Sequence, residues 1–326
     1  MPIVRAVLFS LAASVPTRVQ AEEPAWQPPP PLVTLGTLFQ ELPIDKVLAR
    51  ARQEHQAVLV VVLAAECESC QRLDREVLST ARGSLLSDRA LAVRLQVEDG
   101  GSQDTLQRYA VIDWPTTLVL RPDGSEIGRI ETFDGVRAYE RELTPLLDGR
   151  SPLTDCQHRL ERDRGNVRAL FCVGKAELDH NQPRRGFPLL EEVLARDPEN
   201  RNGVTDRSLF VMGRYLALVK RDPRQARQYF RELDARFGST PHGKDAAWWY
   251  ARSLHRMDRT ELGWLYLETR AHRLRSRDAV ADLGRYALTC KVHQQEALTQ
   301  VRRAVVKHPR DGELKRLMDK LARALL

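Results

Sequence analysis

Six consecutive apolar residues, Val58 to Leu63, run into Ala64-Ala65-Glu66-Cys67-Glu68-Ser69-Cys70. An unbroken run rich in β-branched residues reads as a central strand covered on both faces. Behind the second cysteine, Leu73, Val77 and Leu78 continue at helical spacing. The pair therefore sits where a buried strand hands over to a helix. Helix N-termini offer free N–H groups and a favourable dipole, which stabilise a thiolate. An exposed Cys67 is placed to attack, and Cys70, one turn later, to resolve the resulting mixed disulfide. Three readings of the pair are open: redox exchange, half of a metal site, or a structural disulfide without turnover. Zinc asks for four ligands, and no second C-x-x-C or His pair lies near, so no metal is expected.

The surrounding pattern predicts a compact α/β unit. Ile44, Val47, Leu48 and Ala51 mark a first helix. Leu91, Val93, Leu95 and Val97 alternate, which predicts a strand with one apolar face. A helix starts near Asp104. Thr116–Leu120 and Glu126–Ile130 flank Pro122-Asp123-Gly124, a hairpin signal, and Val136–Leu147 closes as a helix. The expected order is αβαβαββα.

On these residues the chain resembles the thioredoxin-like family over roughly 44–149. The resemblance rests on Cys67-Glu68-Ser69-Cys70, on the spacing of Cys70, Leu73, Val77 and Leu78, and on Tyr109, Val111, Pro115 and Thr116. It implies an α/β thioredoxin-like sandwich and a cis peptide bond before Pro115, facing the cysteines. It also implies a substrate-facing edge shaped by Trp114, Pro115 and Thr116. The sequence departs from the family pattern at three points. Glu66 stands where a tryptophan usually precedes the first cysteine. Strand 58–63 carries no acid to move protons. Trp114 is large for its place. Glu66 and Glu68 disfavour a neighbouring thiolate and should tune the Cys67 pKa upward. A stabilised thiol form leans the chemistry towards the reductase direction.

After Ser151 the strand patterns stop, and helical stretches of similar length follow to the C-terminus, separated by turns such as 197–200 and 238–241. Gly186, Leu190, Val193 and Pro198 repeat in spacing as Ala297, Val301, Ala304 and Pro309. Ala226, Phe230 and Leu233 carry the same steps. This looks like tetratricopeptide-like repeats, whose stacked hairpins leave a groove. The aromatic clusters Trp248-Trp249-Tyr250 and Trp264-Leu265-Tyr266 either pack the hairpins or line that groove. Cys156 and Cys172 fall on two successive helices, level across their turn, as a structural disulfide or as two small buried side chains. Cys290 reads as buried.

Charge divides the chain. Residues 1–150 carry 16 Lys and Arg against 21 Asp and Glu, a net of −5. Residues 151–326 carry 35 against 23, a net of +12. The basic half favours an acidic partner, an anionic polymer or a membrane surface, or is simply a solvated arginine-rich face. It holds no nucleic-acid reader motif, and nucleic acid is not expected as a partner. No apolar run approaches the ~20 residues of a membrane span. Arg5, the apolar stretch 6–14 and Val19-Gln20-Ala21 resemble a cleaved export signal over 1–21, followed by a proline-rich linker over 22–43.

The expectation is an exported, periplasm-type thiol–disulfide oxidoreductase: residues 44–149 carry the chemistry and 150–326 form a C-terminal all-α helical-repeat domain. Its partners would be a protein thiol or disulfide client and an electron donor of unknown identity, with no cofactor. The alternative is a non-catalytic adaptor that binds through the repeats.

Overall fold

The computed structural model describes residues 38–40 and 42–326. The expected export signal and most of the proline-rich linker lie outside the described residues. The first elements are α1 (Ile44–Glu54), β1 (Ala57–Leu63), α2 (Glu68–Leu73), α3 (Ala81–Ser87), β2 (Ala90–Gln96), α4 (Gln103–Arg108), β3 (Thr116–Leu120), β4 (Glu126–Ile130) and α5 (Val136–Leu147). Between α2 and α3 the chain widens into one π-helical turn, Asp74–Leu78.

The four strands form one mixed sheet in the order β2-β1-β3-β4. β1 pairs parallel with β2 and antiparallel with β3, and β4 closes antiparallel on β3. The parallel pair is what forces the helical crossover between β1 and β2, since parallel strands cannot be joined by a tight turn. The hairpin between β3 and β4 uses Gly124 at φ +88°, a conformation glycine adopts without a Cβ penalty. The Asp123 carboxylate accepts from the Ser125 N–H at 2.8 Å and fixes that turn.

Alternate residues of β1 enter two separate cores, as a strand buried on both faces requires. Leu59, Val61 and Leu63 pack with Leu73, Val77 and the α5 side chains Tyr139, Leu143 and Leu146. Val58, Val60 and Val62 pack with Val47 and Leu48 of α1 and Leu106 of α4. Each fully buried aliphatic side chain contributes about 1.5–3 kcal/mol. The result is a three-layer α/β/α sandwich. β2 differs from the one-faced strand its alternation predicts. Leu91 and Val93 face one core, and Ala90 and Ala92 are buried in the other. Leu95 and Val97 are only partly buried.

Ten further helices follow: α6 (Pro152–Arg162), α7 (Val167–Asp179), α8 (Pro183–Arg196), α9 (Thr205–Arg214), α10 (Pro223–Phe237), α11 (Ala246–His255), α12 (Thr260–Leu274), α13 (Arg277–Cys290), α14 (Gln294–Lys307) and α15 (Gly312–Arg323). Successive helices pack on one another, and α11 and α15 also touch α13. The residues singled out by their repeated spacing, Gly186, Leu190 and Val193, then Ala226, Phe230 and Leu233, then Ala297, Val301 and Ala304, are all buried. A Cβ on Gly186 would lie 2.8 Å from the Gly174 carbonyl oxygen, so α7 and α8 meet backbone to backbone there. Trp264 and Cys290 are buried in the helical core. Trp248, Trp249 and Tyr250 are half-buried. The sandwich and the helices form one compact unit. No helix among the described residues is long and apolar enough to cross a membrane.

Candidate redox site

The site is built where β1 ends. Leu63 hands over to a short loop, whose Ala65 N–H donates to the Glu98 carboxylate at 3.0 Å. That loop delivers Cys67 to the N-cap of α2, in extended backbone conformation. Its sulfur accepts from the Cys70 N–H at 3.1 Å, as an N-cap side chain accepts from an early helical amide. The same bond and the helix dipole would stabilise a thiolate once the pair is reduced. Ser69 Oγ lies 3.4 Å from the same sulfur. The two sulfurs are bonded, at 2.09 Å. Cys67 is more covered than an attacking thiol at a free helix end would be, at 8% exposed, and belongs to the buried apolar cluster that holds Leu63, Ala64 and Leu73. Cys70 is 2% exposed. Of the two, Cys67 is the one solvent reaches.

The opposite wall is the loop before β3. Trp114-Pro115 is a cis peptide, and the Trp114 carbonyl oxygen lies 3.7 Å from Cys67 Sγ. Trp114 is 44% exposed. Pro115 and Thr116 are buried. The Thr116 hydroxyl donates to the Asp113 carbonyl at 2.6 Å, so its side chain braces the loop from within and presents nothing at the surface.

Glu66 and Glu68 are both exposed. Glu68 is met at 3.8 Å by Arg316 of α15. This exposed pair is weak, but it sets a positive charge against the acidic flank of Cys67. Arg316 lies nearly 250 residues downstream, and nothing in the local sequence pattern could have brought it here.

Two further groups were invisible in sequence. The first surrounds Cys70. β1 carries no acid, but a cavity of about 380 Å³ beside Cys70 is lined by Asp74, Arg94, Glu98 and Asp99. Arg94 pairs with Asp74 at 2.6 Å. The parallel register sets Arg94 opposite Val61 and so supplies this charge from the neighbouring strand. The second is a clasp. Arg214, at the end of α9, donates to both Asp113 carboxylate oxygens at 2.8 and 2.7 Å and to the Ile112 carbonyl at 3.1 Å. Its guanidinium lies 5.4 Å from the Phe210 ring centre and 5.3 Å from that of Trp249. The helical part of the chain thus holds the loop that walls the cysteines.

Away from this site, Cys156 of α6 and Cys172 of α7 are bonded at 2.04 Å with Cα atoms 6.1 Å apart. α6 has no fully buried residue of its own, so this link is a principal tether. Among the described residues no group of three or more His, Cys, Asp or Glu is arranged to hold a metal ion.

Comparison with known proteins bears on the same segment. Residues 42–122 match a family model described as thioredoxin-like. The chain contains a thioredoxin-like domain. A stretch of 92 residues is 29% identical to the thiol:disulfide interchange protein DsbD 2 of Pseudomonas aeruginosa. That stretch is 28% of this chain and spans only 16% of the relative's length. A solved structure of a DsbH oxidoreductase aligns over 39% of this chain and 95% of its own, with 16% identity and a TM-score of 0.32. These matches leave most of the helical part unaccounted for.

Proposed function

We propose that the chain is a thiol–disulfide oxidoreductase that exchanges disulfides with a protein client through Cys67 and Cys70. The observation that carries this reading is the Cys67 sulfur at the N-cap of α2. It accepts the Cys70 amide, is bonded to Cys70, and faces the Trp114 carbonyl within a thioredoxin-like domain. The partial relative, a thiol:disulfide interchange protein, supports the same class.

In the reduced form the Cys67 thiolate attacks one sulfur of a client disulfide. That S–S bond breaks, a Cys67–client bond forms, and the client's other sulfur leaves as thiolate. The Cys70 thiol gives its proton to the client thiolate just released, and its own thiolate attacks Cys67 Sγ. The Cys67–Cys70 bond closes and the second client thiolate leaves. Two electrons have passed to the client, and an external dithiol returns them. Run backwards, the same steps oxidise a client. Trp114 and Pro115 shape the edge the client meets, with Thr116 bracing them. Glu66 and Glu68 hold the thiolate in check and so favour the reductase direction.

The domain boundaries follow this reading: an export signal over 1–21, a linker over 22–43, the redox domain over 44–149 and a tetratricopeptide-like scaffold over 150–326. The scaffold reading is supported by burial at the repeated positions and by the packing of alternate helices. Its task is to hold the client or an acidic partner. Export to an oxidising compartment fits a chain with two disulfides.

Reduction of insulin by the full chain with dithiothreitol tests the assignment. Turnover should vanish in Cys67→Ser, and Cys70→Ser should accumulate a mixed disulfide that alkylation and mass analysis detect. A reduction potential near that of thioredoxin, about −270 mV, supports the reductase direction, and a markedly higher one reverses it. Equal turnover in wild type and Cys67→Ser would leave the adaptor reading standing.

A further inference from the structure

A surface in the helical part is charged in one sense only. Between α10, α11 and α12 lies a cavity of about 410 Å³ whose lining includes Arg227, Arg259, Arg270 and Arg273 and no acidic side chain. Arg270 is neutralised by Asp234 at 3.1 Å. Arg227, Arg259 and Arg273 have no ion pair or side-chain hydrogen bond among the described residues. Between them, Leu262 and Leu265 stand 51% and 55% exposed, although other leucines of these helices, such as Leu233 and Leu267, are fully buried. Tyr250 and Tyr266, with ring centres 4.6 Å apart, line the same cavity. Leu262, Tyr266, Thr269 and Arg273 follow one another at three- and four-residue steps, and Leu265 stands three after Leu262 and four before Thr269, so they share one face of α12.

We infer that this groove is the docking site for an acidic protein segment that also carries large apolar side chains. Three uncompensated arginines ask for carboxylates, and Arg suits them because its planar fork takes a carboxylate in two parallel bonds. The exposed leucines and paired tyrosines ask for apolar partners, the combination that interface cores favour. A nucleic-acid backbone would satisfy the arginines and leave both leucines facing solvent. A bilayer surface does not follow a recess between three helices. The inference deepens the proposed reading of the helical part as the partner-holding one. It is tested by binding rather than thiol exchange, so either can fail alone.

The probe is a fluorescein-labelled amphipathic peptide of about four helical turns, with Leu at every third or fourth position and Glu between. A second peptide has Gln for every Glu. Both are titrated against the full-length chain by fluorescence anisotropy. The Glu peptide should bind at least tenfold more tightly, and added salt should erode the difference. Arg259→Glu/Arg273→Glu should weaken it at least tenfold, as should Leu262→Ser/Leu265→Ser, with insulin turnover and melting midpoint unchanged. Where a pair lowers the midpoint, Arg259→Gln/Arg273→Gln and Leu262→Ala/Leu265→Ala replace it, with the same expected direction. Equal affinity for the two peptides would overturn the inference. So would binding that ignores the substitutions, or displacement of the Glu peptide by heparin or phosphatidylserine vesicles at lower concentration than by unlabelled peptide.

Discussion

Arg214→Ala would show how far the redox site depends on the helices. The side chain makes two charge-assisted bonds to Asp113 and one to the Ile112 carbonyl. Hydrogen bonds to charged groups contribute about 1.5–3 kcal/mol each when their partners are buried. Arg214 is largely covered, but Asp113 is a third exposed and rehydrates once released, so the three together should come to about 2 kcal/mol. That is about a 30-fold shift in the equilibrium between a docked and an undocked loop. The loop carries the Trp114 carbonyl that faces Cys67. Hydrogen–deuterium exchange read by mass spectrometry should find peptides covering Ile112 to Thr116 exchanging about 30-fold faster, if opening is local. Insulin turnover should fall with it, while alkylation shows the cysteine pair still forming. Arg214→Lys should recover only part of both effects, because an ammonium cannot reproduce the two-pronged contact. Unchanged exchange across 112–116 together with unchanged turnover would refute the claim that α9 holds this wall of the site.

Three other outcomes are expected. Cys156→Ser/Cys172→Ser opens a 16-residue closure and should cost about 3 kcal/mol in the chain-entropy picture, seen as a lower urea midpoint and faster proteolysis within α6. Gly186→Ala drives a methyl group against the Gly174 carbonyl and should destabilise by about 1–3 kcal/mol, measured by chemical denaturation; an unchanged midpoint would mean that α7 and α8 do not meet so closely. Burial pushes the Asp282 carboxyl up to about 6, against the opposing pull of Arg285 and Arg270 and with help from Asp245. Its folded value then exceeds its unfolded one, so the folded chain holds more protons between about pH 4 and 6, and this group's contribution to stability falls as pH rises through that window. The stability difference between wild type and Asp282→Asn should therefore change across that window and level off above it; a difference constant from pH 4 to 7 would contradict this.

The parts of the fold that rest on short-range pattern were legible in the sequence. The β-branched run of β1, the periodicity of α1 and the Pro122-Asp123-Gly124 turn each specify their own conformation. The Cys67–Cys70 spacing and the chain around Pro115 pointed to one site because a strand–helix junction and a loop before a strand meet at the same end of a sheet. What failed to show were groups delivered from a distance. Arg214 and Arg316 approach from helices some 100 and 250 residues away, and their contacts depend on how the helices pack. Arg94 and Glu98 reach the Cys70 cavity through strand register and loop geometry, and meet there Asp74, one helical turn past Cys70. β2 was misread as one-faced because alanine gives no alternation signal, although two of its alanines are buried.

One contact at the start of the described chain has a practical outcome. Phe39 bridges in parallel to Ala92 of β2, the Gln40 N–H donates to the Ala92 carbonyl at 2.7 Å, and Leu38 is buried in the core below. The Arg94 guanidinium lies 4.5 Å from the Phe39 ring centre. β2 is an outer strand of the sheet, and outer strands with unpaired amides recruit other chains. Residues 38–40 therefore act as the sheet's own selvedge. Trimming the chain to Ile44, where helical periodicity begins, would unpick it. Such a fragment should self-associate through β2 where one that begins upstream of Leu38 stays monomeric.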